Sequence, residues 1–288
     1  EPGEDGAVPN FWPIGNGKHM LLLFSHKRAG RYYVGDYDRS THEFTPDYHG
    51  RMNYGPVGRG SLHAPSATID ERGRYLGIFN VKECRTPQGW NDIMSLPRVF
   101  SLEEDNSLRI EPVEELESLR AERASVEPTD IPANGEVRLD GVRGKALEIR
   151  AEVDPGSARE VGLYILRSPD GDERTRISFF PDSARKHPKS ALQIDVCEAS
   201  LRGDVLSRVP ETGPLVLEEG EPLRLRVFID RSVIEVFANQ RQCLTLRAYP
   251  GREDSDGVSV FARGGKAKLL SLDAWPMGER APHAGAVR

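Results

Sequence analysis

Two carboxyl groups placed on either side of a glycosidic bond can break it, one as nucleophile or base and the other as acid. The chain carries 45 Asp and Glu residues, so position has to choose among them. Glu4 and Asp5 stand in a Gly-flanked loop, Gly3-Glu4-Asp5-Gly6, just ahead of Pro9-Asn10-Phe11-Trp12. Glycine on both sides lets such a loop turn a carboxyl group inward. Asp36 and Asp38, in Gly35-Asp36-Tyr37-Asp38, read as strand-end and turn residues. Asp230 and Glu235 read as structural, joined by a hairpin connection at Asp230-Arg231-Ser232. Glu83, beside Cys84, is a further candidate whose structural reading is preferred.

The other reactive side chains exclude more than they select. His19, His26, His42, His49, His63, His187 and His283 are scattered, with no HExxH spacing and no metal-ligand cluster. His63 differs in standing near Tyr54 and beside Ala64-Pro65, in a loop rich in small residues, where a rigid scaffold can carry a binding residue. A Gly-Xaa-Ser-Xaa-Gly elbow is absent, and the glycines of 55–60 precede no helix that could cradle a phosphate. Cys84, Cys197 and Cys243 form no CxxC pair and are expected as buried free thiols. The flat rings of Trp12, Trp90 and Trp275 could stack on a sugar. Trp275 reads as a pin for the last strand, and Trp90 as a loop anchor or a ligand wall.

The elements that would position these residues read as strands throughout. Gly and Pro, 28 and 21 in number, punctuate short β-like runs. Strands are expected at 18–25, 31–37, 67–69, 75–82 and 92–101, divided by turns such as Gly15-Asn16-Gly17 and Glu71-Arg72-Gly73. Leucines three apart among helix formers at 114–122 suggest a short helix or an extended linker. Beyond about residue 130 strict alternation returns at 147–153 and 223–230, with further runs at 161–166, 175–180, 191–196, 232–238, 243–248, 258–262 and 267–274. Alternation with charge on one face describes strands whose other face packs on a core, and about nine such runs suffice for two stacked sheets. Leu223, Leu225, Val227 and Ile229 share one strand face and should point inward.

Composition sets the outer limits. With 38% hydrophobic and 29% charged residues the chain is apolar enough for a core. The formal charge of −6, without a basic stripe, argues against nucleic acid as a partner. The longest apolar run, Met20-Leu21-Leu22-Leu23-Phe24, is far short of a membrane span. A start at Glu1, without initiator Met or leader, reads as a chain that begins inside a larger architecture. The compartment is left open; a secreted or periplasmic protein is compatible.

Taken in order, these segments resemble glycoside hydrolase family 32, the invertases, inulinases and levanases. Pro9-Asn10-Phe11-Trp12-Pro13-Ile14-Gly15 looks like the stretch after that family's acid/base Glu-Cys-Pro motif. Tyr32-Tyr33-Val34-Gly35-Asp36-Tyr37-Asp38 is similar to its Tyr-Xaa-Val-Gly-Xaa-Tyr-Asp strand. Asn53-Tyr54-Gly55 and His63-Ala64-Pro65-Ser66 resemble its Asp-Tyr-Gly and Tyr-Ala-Pro-Gln segments. Gly89-Trp90-Asn91-Asp92-Ile93-Met94-Ser95-Leu96-Pro97-Arg98 resembles its Gly-Trp…Met-Ser-Leu-Pro-Arg block. Phe228-Ile229-Asp230-Arg231-Ser232-Val233-Ile234-Glu235-Val236-Phe237-Ala238-Asn239 looks like its late signature.

The resemblance implies an all-β fold: the last blades of a five-bladed β-propeller at 1–105, a linker at 106–127, a C-terminal β-sandwich at 128–278 and a tail at 279–288. It implies retaining hydrolysis of fructosyl bonds in sucrose or fructans without a cofactor, by a nucleophilic Asp and an acid/base Glu. The nucleophile's Asn-Asp-Pro motif and the later Arg-Asp-Pro are absent and would precede residue 1, so the chain alone is expected to be inactive. Ala7-Val8-Pro9 stands where the family has Glu-Cys-Pro, and Glu4 is the substitute expected as acid. Glu83-Cys84 copies the dipeptide in the wrong order. Asn53, Tyr54, His63, Asn80 and Trp90 are expected to contact an oligo- or disaccharide. His63 and Ser66 replace the family's Tyr and Gln, and Phe79 or Asn80 an expected Trp. The missing N-terminal half or a second copy is the expected protein partner. The rival readings are a carbohydrate-binding pseudoenzyme, favoured by the loss of Glu at position 7, and a structural adhesion module, which the blocks at 9–98 disfavour.

Overall fold

The computed structural model describes residues 5–86, 89–181 and 190–278, so Glu4 lies outside the described residues. The described chain is all-β, in four antiparallel sheets. The first sheet is a meander of β1 (Ala7–Gly15), β2 (Lys18–Ser25), β3 (Ala29–Asp38) and β4 (Glu43–Arg51), in that order. Gly15 pairs with Lys18 around a two-residue turn in which Asn16 and Gly17 take φ of 51° and 74°. A tight hairpin needs positive φ at both positions, which Asn-Gly supplies at least cost.

The second sheet holds β5 (Leu62–Ile69), β6 (Tyr75–Val81), β7 (Ile93–Met94), β8 (Arg98–Leu102) and β9 (Leu108–Pro112), ordered β5-β6-β8-β9 with β7 also beside β6. The single strand expected over 92–101 is thus broken in two. Pro97 has no N–H to give a ladder, and at the break the Phe79 N–H donates to Ser95 Oγ, at 3.0 Å. Asn10 of β1 joins the two small sheets, accepting from the Ala67 N–H at 3.1 Å. Trp12, Met20, Leu22, Leu62, Phe79 and Phe100 are among the buried residues of one shared cluster. The stretch with leucines three apart is a 3-10 helix, Glu114–Leu119, whose Leu116 is buried. A three-residue turn places Leu116 and Leu119 on one face, as that spacing requires.

The remaining strands form two larger sheets. One contains β10 (Ala124–Val126) and β11 (Thr129–Ile131), the other β12 (Glu136–Arg143). Next come β13 (Ala146–Asp154), β14 (Glu160–Arg167), β15 (Thr175–Phe180), β16 (Ala191–Asp195) and β17 (Glu211–Pro214). The series ends with β18 (Leu223–Asp230), β19 (Val233–Ala238), β20 (Gln242–Arg247), β21 (Gly257–Arg263) and β22 (Ala267–Pro276). The sheet orders are β10-β22-β13-β18-β19-β20, with β11 beside β22, and β12-β21-β14-β15-β16-β17. Leu223, Leu225, Val227 and Ile229 are at most 3% exposed and meet Leu163, Ile177 and Val260 in one cluster. Cys84 and Cys243 are buried free thiols, but Cys197 is exposed, because β16 ends two residues before it.

β18 departs from simple alternation at Phe228, and all six residues of β19 and of β20 are buried. The cause is a second contact. Phe228, Phe237 and Cys243 project away from the two-sheet core into the cluster of the small sheets. Three buried glutamates stitch this seam. Glu235 accepts from the Leu96 N–H, from Thr245 Oγ1 at 3.1 Å and from Arg98 Nη2 at 2.6 Å. Glu211 accepts from the Tyr54 and Gly55 N–H groups and from Arg208 Nη2. Glu83 accepts from the Tyr249 hydroxyl and faces Arg247 Nη2 at 3.7 Å. A carboxylate out of water needs this density of donors.

Candidate functional site

Four chain segments bring polar groups together at one end of the small sheets. β2 runs into a turn at Ser25-His26, β5 begins with Leu62-His63, β6 ends near Asn80, and Lys82 and Asp92 follow. His63 and Asn80 are register partners, and a bulge between His63 and Pro65, with Ala64 at φ 39°, re-aims this end of β5. The His63 ring lies 3.8 Å from that of Phe24 and 5.8 Å from that of His26, centroid to centroid. Asp5 accepts from the His26 N–H at 3.1 Å and from Ser25 Oγ at 3.3 Å, and also bonds His26 Nδ1.

The electrostatics separate these groups. The His26 bond holds the Asp5 carboxyl below its ordinary range. Burial, then the Lys82 charge, lower the His63 imidazole, so it favours the neutral ring. Burial pushes Asp92 up, but Lys82 Nζ at 2.8 Å and the Glu83 N–H at 2.9 Å outweigh it and hold the carboxyl low. Asn80 Oδ1 is buried with no hydrogen-bond partner. An unpaired buried acceptor costs free energy until a donor arrives.

Of the residues singled out in the sequence, the structure brings His63 and Asn80 together. Asn53 sits elsewhere, buried, its Oδ1 accepting from the Gly30 N–H at 2.9 Å and its Nδ2 donating to Ser61 Oγ. Tyr54 lies at the seam, its N–H on Glu211 and its hydroxyl accepting from Gln242 Nε2 at 3.4 Å. Trp90 is 56% exposed, with the Arg247 guanidinium 5.9 Å from its ring. His26, Lys82 and Asp92 escaped the sequence reading, although Asp92 lies inside the Gly-Trp-Asn-Asp block. Ala7 pairs with Phe24, and Val8 beside it takes φ of 46°, a conformation that a β-branched residue rarely adopts. Among the described residues no group of three His, Cys, Asp or Glu could hold a metal ion.

A cavity of about 1020 Å³ lies between the 3-10 helix and the face of β13, β18 and β22. Its charges pair with one another, Arg241 with Glu221 at 2.7 Å and Arg150 with Glu117. It holds none of the candidate site residues Asn53, Tyr54, His63, Asn80 and Trp90.

Fold and sequence place the chain among the glycoside hydrolases. The family model described as glycosyl hydrolases family 32 C terminal matches residues 115–276, and the chain belongs to that family. It is 27% identical to β-fructofuranosidase 1 of Zea mays over 95% of this chain and 47% of that protein. It is 30% identical to the levanase of Bacillus subtilis (strain 168), covering 86% of this chain and 37% of the levanase. The chain therefore spans about half, or less, of such relatives. Fructan 1-exohydrolase IIa from Cichorium intybus superposes with a TM-score of 0.86 at 19% identity, over 95% of this chain and 62% of that one. A variant of that enzyme was solved with 1-kestose.

Proposed function

We propose that the chain is the C-terminal portion of a β-fructofuranosidase-type hydrolase acting on fructosyl linkages of sucrose or fructans. In this reading β1–β4 and β5–β9 are the last blades of a five-bladed propeller, and β9, at Leu108–Pro112, carries the second of them past the boundary expected at residue 105. The 3-10 helix links them to a sandwich that begins with β10 (Ala124–Val126), a little ahead of the start expected at 128, and the tail expected at 279–288 lies outside the described residues. What carries the reading is that relatives named for fructosyl chemistry match over 86–95% of the chain. The unpaired Asn80 Oδ1 beside His63 supports a sugar at this corner. Trp90 adds a flat exposed face nearby in the chain, while Asn53 and Tyr54 would act by holding the loop behind it.

Retaining hydrolysis needs a carboxylate to take the anomeric carbon and an acid to protonate the leaving oxygen. The nucleophile is expected from a segment outside these 288 residues, and Glu4 is the acid that the sequence nominates. The chain alone should bind sugar without cleaving it. Ala7, where the family carries its acid, favours the second reading of a protein that binds glycan and does not turn it over. Titration calorimetry with sucrose decides between sugar site and scaffold. His63→Ala and Asn80→Ala should each weaken binding about tenfold, the worth of one hydrogen bond to a buried group. Sucrose heats absent from the parent chain, or unchanged in both variants, would remove the sugar site.

A further inference from the structure

Lys82, Trp90 and Asp92 stand on the connection between β6 and β7, outside any strand. The bonds that hold this connection run largely to the other half of the molecule. The Cys84 carbonyl accepts from the Leu206 N–H at 2.9 Å, and the Thr86 N–H donates to the Asp204 carbonyl at 3.0 Å. The Cys84 N–H donates to the Tyr249 hydroxyl at 3.1 Å. Asp204 and Leu206 lie between β16 and β17, and Tyr249 follows β20. Resting on the sugar reading above, we propose that Arg247 and Tyr249 position Lys82, Trp90 and Asp92 for the sugar, so that the two-sheet half sets how tightly a corner it does not line can bind.

Each residue has its own task. The Tyr249 hydroxyl donates to Glu83 Oε1 while it accepts from the Cys84 N–H, which fixes the backbone at 83–84. The Glu83 N–H in turn donates to Asp92 Oδ1 at 2.9 Å, and Asp92 Oδ2 takes Lys82 Nζ at 2.8 Å. Arg247, the last residue of β20, is itself locked. Its side chain is 1% exposed, and Ser232 Oγ accepts from its Nε at 3.2 Å and from its Nη2 at 2.9 Å. The guanidinium lies 5.9 Å from the centroid of the Trp90 ring and 5.2 Å from that of Tyr249. A cation over one face of an indole is attracted to that face. The opposite face of Trp90, a residue 56% exposed, is left for a sugar to stack on. A loop already ordered binds more tightly than one that its ligand must order. Arg247 and Tyr249 are positioning residues in this scheme.

Tyr249→Phe removes one oxygen and keeps the ring. In titration calorimetry it should weaken sucrose binding by the 288-residue chain about fivefold, well below the melting temperature, which is the worth of one hydrogen bond to the sugar. Thr245→Val breaks a bond of the same seam to a different glutamate, Glu235. It should lower the melting temperature at least as far and leave sucrose affinity unchanged. Fluorotryptophan labelling gives one fluorine resonance for each of the three tryptophans, and Trp90→Phe identifies that of Trp90. Without sugar, Tyr249→Phe and Arg247→Lys should each shift the Trp90 resonance and leave those of Trp12 and Trp275 in place. A Trp90 resonance unmoved in both variants overturns the proposal, because the two-sheet half then does not place the ring. An equal loss of affinity in Thr245→Val also overturns it, because stability alone then acts. Sucrose binding that Tyr249→Phe leaves unchanged overturns this proposal alone, whereas no binding to the parent chain overturns the sugar reading with it.

Discussion

At the scale of single residues, the polar groups that matter most to the fold are ones whose partners lie far away in the chain. Glu235 sits in Val233-Ile234-Glu235-Val236-Phe237-Ala238, where one charge among five apolar residues looks like a hairpin detail. Its partner Arg98 is fully buried, 137 residues earlier, with its guanidinium 4.9 Å from the Phe79 ring centroid and 5.7 Å from that of Phe237. No local pattern announces such a pairing. His63 could be suspected from its loop, whereas the bond between His26 and Asp5 joins residues of two segments that no motif links. Removing one member of a buried ion pair leaves the other charged and unpaired. Arg98→Ala and Glu235→Ala should each lower unfolding free energy by about 3–5 kcal/mol in urea titrations. The double change Arg98→Ala with Glu235→Ala should cost clearly less than the two singles added. Strict additivity would show that the two groups do not depend on each other.

At the scale of elements, legibility follows burial. β2, β15 and β18 stand where alternation or apolar runs place them, since one face of each meets a core. β4 carries little such signal, because all of it is half-buried or exposed, and it contains Pro46. The proline is tolerated because β4 ends the sheet order and a register shift stands where Gly35 meets it. That glycine belongs to the Tyr33-Val34-Gly35-Asp36 run, and its reason is steric. A Cβ there would fall on the Thr45 carbonyl oxygen and the Pro46 Cα, which are backbone atoms that cannot swing aside. Gly35→Ala should therefore destabilise the chain by about 1–3 kcal/mol or more, although alanine suits a strand better than glycine does. Gly17→Ala gives the contrast, since nothing lies near its Cβ and only its φ of 74° resists. Equal melting temperatures for Gly35→Ala and the parent would show that β4 can move away.

At the scale of the whole molecule, the small sheets and the two-sheet half share a core rather than a hinge. Phe228, Phe237 and Cys243 are built on β18, β19 and β20 but belong to the cluster of Phe79 and Phe100. Parting the halves would expose that cluster and leave Arg98 without Glu235, and the Tyr54 and Gly55 N–H groups without Glu211. Such separation costs so much that it should occur only when everything unfolds. Three free thiols can report this without added probes. Cys197 is exposed, whereas Cys84 and Cys243 are buried, one on each side of the seam. The Cys84 sulfur also lies 3.5 Å from the Leu206 carbonyl, to which it donates. Under slow thiol labelling, Cys197 should react in the native state. Cys84 and Cys243 should react only through opening, at one common rate. The decisive quantity is the denaturant dependence of that rate, because it scales with the surface exposed by the opening. Global unfolding predicts the full equilibrium slope for both thiols. A smaller shared slope would mean that the halves part while each stays folded, and a faster Cys84 would mean that the small sheets open first. Either result would break the single cooperative unit that the seam's buried glutamates and aromatic rings imply.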